Sequence, residues 1–259
     1  MRQDNLLLPQ IILIHGMWSQ AWVWRAWQTK FEEAGYRCTA VTLPGHAEGQ
    51  PDEALKRLGL ADYVKAVSDV VKRFDKPILI GHSLGGLVAQ QVAAHTAVRG
   101  LVLVCSAAPG EIFPLRPKML PGLARHFLRW DLWRQSFRLS RWEAQYLLFN
   151  NIPKHRQDSF YRRLTAEPGR LVFQLGFGRL NLAGSNRVAP SNVKCPILAL
   201  AGVQDRIIPI SVNRRIAAYY GERIQYSEFK QHAHWMLDEP DSANRVAEII
   251  DWLGQTSAV

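Results

Sequence analysis

The chain of 259 residues is 47% apolar and 21% charged, a balance that excludes a disordered or low-complexity protein and suffices for a buried core. Thirty-two Lys and Arg stand against twenty-two Asp and Glu, a formal net charge of +10 that leaves open nucleic acid, a membrane surface, an acidic partner or no partner at all. Three cysteines (Cys38, Cys105, Cys195) without a CxxC pair exclude a disulfide framework and a zinc module, and no run reaches the ~18 apolar residues of a membrane span. The opening stretch MRQDNLLLPQIILIHG is broken by Pro9 and lacks the small-residue cleavage site of a secretory signal, so a reduced, cytoplasmic setting is expected.

In chain order, residues 10–15 read as a buried strand, and residues 20–34 carry Trp24, Trp27 and Phe31 at helical spacing. Strand 37–43, an amphipathic helix over 60–74, strand 77–81, helix 84–96 and strand 100–105 follow. After a long interval come strand 196–201, helix 209–219, strand 223–229 and helix 239–254. Continuous apolar strands alternating with helices predict an α/β fold, a doubly wound parallel sheet covered on both faces.

Residues 108–190 break this rhythm. They show no good strand and hold Trp130, Trp133, Phe137, Trp142, Tyr146 and Phe149 with arginines between them. About 80 residues is far longer than an ordinary strand-to-strand crossover, so the stretch is expected to be a helical cap inserted in a core of residues 1–107 and 191–259. Residues 110–190 carry fourteen Lys and Arg against five Asp and Glu, which puts nearly all of the excess charge on the insertion. Arg134, Arg138 and Arg141 are spaced for one helical face, solvated above aromatics that would roof a pocket. A cap of this charge suits an acidic protein partner; nucleic acid is not expected, because no recognised binding module accompanies the charge.

Gly81-His82-Ser83-Leu84-Gly85 is a G-x-S-x-G pattern that follows the strand PILI and opens a helix. That strand–turn–helix setting is what a nucleophile elbow requires, and the flanking glycines remove the clashes of its strained turn. Ser83 is the candidate nucleophile, and the N–H of Leu84, just after it, is a candidate oxyanion donor. A serine hydroxyl needs a base, and the base an orienting carboxylate.

With this elbow, LIHGMW (13–18), LPGHAEG (43–49), AGVQDRIIP (201–209) and HAHWMLDEP (232–240) make the chain resemble the α/β-hydrolase fold over nearly its whole length. It is most similar to the branch of bacterial carboxylesterases, plant methyl esterases and hydroxynitrile lyases. The resemblance implies a wholly parallel sheet of about six strands with a helical cap, no metal and no cofactor. It implies His234 as the base, favoured over His232 by the aromatic Trp235 that follows, with His232 left as a partly exposed loop residue. Asp205, four residues past strand 196–201, falls at the acid position in the order Ser–Asp–His, and the other family location, after strand 100–105, has no carboxylate before Glu111. His15-Gly16 matches the family's HG, so the N–H of Met17 becomes the second oxyanion donor. Trp18, His82, Trp130, Trp133 and Trp235 are expected near the substrate pocket, with His82, inside the elbow, packing or hydrogen-bonding beneath the nucleophile; His46 is given no role.

The expected reaction is hydrolysis of a small or medium carboxylic ester with a hydrophobic acyl or alcohol part. Alternatives are a methyl esterase or thioesterase acting on an acyl group of an acidic carrier protein, a hydroxynitrile-lyase-like reaction, and a ligand receptor on the same scaffold. The lyase alternative is weakened because Lys230 is the nearest lysine to His234.

Overall fold

The computed structural model describes residues 8–47, 52–176 and 183–257. Glu48, Gly49 and Arg179, which figure in the motifs and charges above, lie outside them. The chain runs β1 (Ile11–Ile14), α1 (Arg25–Glu33), β2 (Cys38–Val41), α2 (Asp52–Leu55), α3 (Leu60–Val71), β3 (Ile78–His82), α4 (Leu84–Ala93) and β4 (Gly100–Val104). The inserted stretch holds α5 (Leu120–Phe127), β5 (Ser136–Phe137), α6 (Arg141–Leu147), α7 (Lys154–Arg162), β6 (Glu167–Pro168) and α8 (Gly169–Gly176). The chain then returns through β7 (Ile197–Gly202), α9 (Ile210–Tyr220), β8 (Ile224–Phe229) and α10 (Ser242–Ser257).

Among the described residues the main sheet has six strands, all parallel, in the order β2-β1-β3-β4-β7-β8. Its central strands are buried at every position because helices cover both faces. Ile12, Leu79, Leu101 and Ile197 form one cross-strand row, and each is at most 1% exposed. The order reverses between β1 and β3, so the loops leaving these two strands open a crevice at the carboxyl edge of the sheet, the place where ligands bind in such folds. The turn carrying Met17 and the turn carrying Ser83 are those two loops.

The insertion differs from the sequence expectation in two respects. It does contain strands, the two-residue β5 and β6, paired antiparallel with Phe137 opposite Glu167. Arg134, Arg138 and Arg141 do not share a helix: a 3-10 turn over Leu132–Arg134 gives way to β5, and α6 begins only at Arg141. Spacing alone could not anticipate the break. What starts α6 is a capping box, in which Glu143 N–H donates to Ser140 Oγ and Ser140 N–H to Glu143 Oε2. All three cysteines are free thiols, Cys105 and Cys195 buried and Cys38 partly so. No helix among the described residues is long and apolar enough to cross a membrane.

Candidate active site

Ser83 sits between β3 and α4 with φ +54° and ψ −121°, a conformation that a side chain rarely adopts. The backbone around it holds it there. Ser83 N–H donates to Val104 C=O at 3.0 Å, and Ser83 C=O accepts from the amides of Gly86 and Ala107, both at 2.9 Å. The turn closes only because its flanks lack side chains: a Cβ on Gly81 would lie 2.3 Å from Gly85 O, and one on Gly85 would lie 2.2 Å from Ile14 O. The turn after β1 comes equally close, since a Cβ on Gly16 would meet Ser83 Cβ at 2.8 Å.

Asp205 and His234 are both buried and meet at 2.7 Å, Nδ1 to Oδ2. A carboxylate only accepts, so Nδ1 carries the proton and Nε2 is left as the basic nitrogen. The other oxygen of Asp205 accepts the amides of Ile207 and Ile208, each at 2.8 Å, so the buried charge is fully satisfied.

His82 lies beneath this pair. Its ring centroid is 4.8 Å from that of His234, and its Nε2–H donates to His234 C=O at 2.8 Å. Burial first, and His234 second, hold the His82 pKa down at about 3, so it is a neutral spacer and not a second base. His15 is also neutral: burial and then His46 lower its pKa to about 3, while its Nε2 accepts from Leu43 N–H at 3.0 Å.

Ser83 opens into a cavity enclosing about 690 Å³ of non-atom space, part of it open to solvent. From the core it is lined by Met17, Trp18, Leu84, Ala107, Ile207 and Ile208, and from the insertion by Ala108, Pro114, Leu115, Met119, Leu123, Val172, Leu175 and Gly176. Among the described residues no charged side chain lines it. The amide N–H groups of Met17 and Leu84 donate to no described residue and sit beside Ser83 in this lining.

Of the residues expected at the pocket, only Trp18 lines it. His82 is below the floor, and Trp235 is buried among Trp22, Phe149 and His82. Trp130 and Trp133 point outward, 87% and 43% exposed. The roof is aliphatic because Met119 and Leu123, four residues apart, present one face inward, while Trp130 and Trp133 fall in the loop and 3-10 turn beyond α5.

His232 is another correction. It is buried, not partly exposed, with Nδ1 3.1 Å from Glu239 Oε2, an oxygen that also accepts Ala233 N–H at 2.8 Å. This second His–carboxylate pair anchors the loop that carries His234. Lys230 is exposed. Glu167, unremarked in the sequence, reaches from β6 into the core and accepts the N–H of Trp18. Among the described residues no cluster of three His, Cys, Asp or Glu could hold a metal ion.

Residues 11–249 match the Alpha/beta hydrolase family, so the chain belongs to that family of hydrolytic enzymes. It is 34% identical over 120 residues to a pyrethroid hydrolase of Sphingobium wenxiniae, a stretch covering 45% of this chain and 42% of that protein. It is 30% identical over 243 residues, 89% of each chain, to a pimeloyl-acyl-carrier-protein methyl ester esterase of Serratia marcescens. The crystal structure of a pyrethroid hydrolase from Sphingobium faniae superposes with a TM-score of 0.72 at 20% identity, covering 97% of this chain and 99% of that one, a likeness of fold.

Proposed function

We propose that the protein hydrolyses a neutral carboxylic ester with a hydrophobic acyl or alcohol part, through an acyl-enzyme on Ser83. His234 Nε2 takes the proton as the Ser83 hydroxyl attacks the carbonyl carbon, and Asp205 fixes the tautomer and stabilises the imidazolium. The amides of Met17 and Leu84 receive the developing oxyanion. His234 returns the proton to the departing alcohol, then activates the water that releases the acid. In this reading residues 108–190 act as a cap on a core of residues 1–107 and 191–259 and supply the aliphatic half of the pocket.

The observation that carries the reading is the pairing of a left-handed Ser83 at the mouth of an apolar cavity with a buried Asp205–His234 pair at 2.7 Å. A panel of p-nitrophenyl esters graded by acyl length tests it. Turnover is expected to favour uncharged apolar chains over charged ones of equal length and to fall by about 10⁶ in Ser83→Ala. Ligand binding without turnover in the wild type would instead mark a receptor on this scaffold.

A second reading, a methyl ester or thioester presented by an acidic carrier protein, is favoured by the similarity over 89% of both chains and by the fourteen-to-five excess of basic residues on the insertion. It requires that rising salt depress turnover of the carrier-bound substrate and leave the free ester unaffected. An identical response of the two ends it.

A further inference from the structure

The turn proposed to supply one oxyanion donor is held by three successive peptide planes, and the core holds only the first. The plane carrying Met17 N–H is fixed through its carbonyl, Gly16 C=O, which accepts from His15 Nδ1–H at 2.8 Å and Ser19 Oγ–H at 3.0 Å. The next plane ends in Trp18 N–H, which donates to Glu167 Oε1 at 2.6 Å. The third begins with Trp18 C=O, which accepts from Thr165 N–H at 2.9 Å. Both acceptor and donor come from the insertion. The strand paired with Glu167 grips the ring as well, since Phe137 meets Trp18 edge to face at 5.7 Å. Trp18 needs such a grip. Its φ is +58°, a value that costs free energy for a bulky side chain and persists only where the surroundings enforce it.

Glu167 is itself fully buried and is set by the core. His46 Nε2 lies 2.7 Å from Oε1, and Tyr63 O–H donates to Oε2 at 3.4 Å. His46 Nδ1 is 3.0 Å from Pro44 C=O, which can only accept, so Nδ1 bears a proton and Nε2–H faces the carboxylate. Burial works against a charged His46, but the charge and hydrogen bond of Glu167 outweigh it and raise its pKa. A buried carboxylate is costly without partners, and this one has a buried cation on one side and the strained turn on the other.

We infer that Glu167 is a positioning residue for ester hydrolysis: it ties the cap to the oxyanion turn, so that docking of the β5–β6 pair completes from the Trp18 side the hold on the Met17 amide that the core begins at Gly16 C=O. Without it, the buried Trp18 N–H loses its acceptor, Trp18 relaxes from the left-handed region, and the turn leading from Met17 rotates. The role acts on the transition state more than on the ground state, because the oxyanion forms only there. The inference rests on the assignment of Met17 N–H in the proposed function.

The test is Glu167→Ala in the p-nitrophenyl ester assay, with active sites counted by a fluorophosphonate. The expected result is a fall in kcat per titrated site of roughly 10- to 10²-fold, the scale of a misplaced reacting group, with KM within about threefold. Affinity for a tetrahedral boronate should fall by the factor lost in kcat/KM, and affinity for a non-hydrolysable ether analogue should hold. Glu167→Gln, which keeps an oxygen acceptor for Trp18 N–H, should recover most of the rate. If Glu167→Ala does not fold, Glu167→Leu with His46→Leu removes both charges together, still strips the acceptor from Trp18, and should show the same pattern. A per-site kcat within twofold of wild type, or parallel losses of boronate and ether affinity, overturns the inference. Ser83→Ala in the same assay separates the two readings: if it keeps its turnover, the proposed function falls, whereas if it is inactive while the Glu167 variants match wild type, only the positioning role falls.

Discussion

The sheet and the insertion of this molecule are built on opposite terms. The central strands β1, β3, β4 and β7 are buried at every position, and the turns after β1 and β3 pack together through close glycine approaches, the elbow at Ser83 being held by backbone hydrogen bonds. Among the described residues the insertion has four helices of seven to nine residues and a strand pair two residues long, with ion pairs such as Arg125–Glu143 and Arg141–Asp158 between its segments and Arg156–Asp238 to the loop that carries His234. It leaves Leu128 and Trp130 more than four-fifths exposed. The side chains proposed to do chemistry belong to the sheet and its loops; the insertion contributes aliphatic walls and the carboxylate of Glu167. Chemistry tolerates little displacement, whereas selection of an apolar substrate tolerates much, and the two regions divide accordingly.

Substitutions on either side of this division should differ in kind. The largest effect is expected in the core. Asp205→Asn preserves the shape but lets His234 adopt the wrong tautomer, and kcat should drop by roughly 10⁴ with KM little changed. Steady-state kinetics on one p-nitrophenyl ester checks this.

In the insertion, Leu123→Phe fills the aliphatic wall of the cavity. It should shift the optimum toward shorter acyl chains, lowering kcat/KM for the longest good substrate by about tenfold, the scale of one or two methylenes in an apolar pocket, and leaving the shortest unaffected. The same ester panel reads the shift.

The smallest effect is on stability alone. Glu143, nearly buried, holds Arg125, His126 and the Ser140 amide, and Glu143→Gln should cost about 2 kcal/mol. Burial opposes its ionisation, but the hydrogen bond from Arg125, followed by those from Ser140, lowers its pKa from 4.5 to about 2. A carboxyl depressed in the folded state contributes in full above pH 4.5 and loses that contribution as pH falls toward 2. The stability difference between wild type and Glu143→Gln, followed by denaturant unfolding, should therefore shrink through that window.

What was legible in the sequence is what local backbone sterics and strand hydrophobicity dictate. Gly81, Gly85 and Gly16 mark close approaches that only glycine permits, so the elbow and the HG turn could be found from the chain alone. The parallel sheet followed from unbroken apolar runs. The corrected features depend on contacts distant in the chain. Nothing local makes Glu167 unusual, because its partners Trp18, His46 and Tyr63 are 149, 121 and 104 residues away. His232 was expected in a loop near solvent because the sequence near it gives no sign that Glu239 folds back beneath it. Trp130 and Trp133 were expected over the pocket because aromatics in an insertion suggest a roof; their outward direction follows from where α5 ends, and helix ends in a segment of many prolines and arginines are weakly specified by pattern.

The central claim, that Ser83 is the covalent nucleophile of an apolar-ester hydrolase, is tested most directly by intact-protein mass spectrometry after brief reaction with an activated p-nitrophenyl ester. The account predicts one acyl adduct per chain, mapped to Ser83, formed with a burst of p-nitrophenol and absent from Ser83→Ala. Turnover without an adduct at Ser83, or with one mapped to another residue and kept in Ser83→Ala, would contradict it.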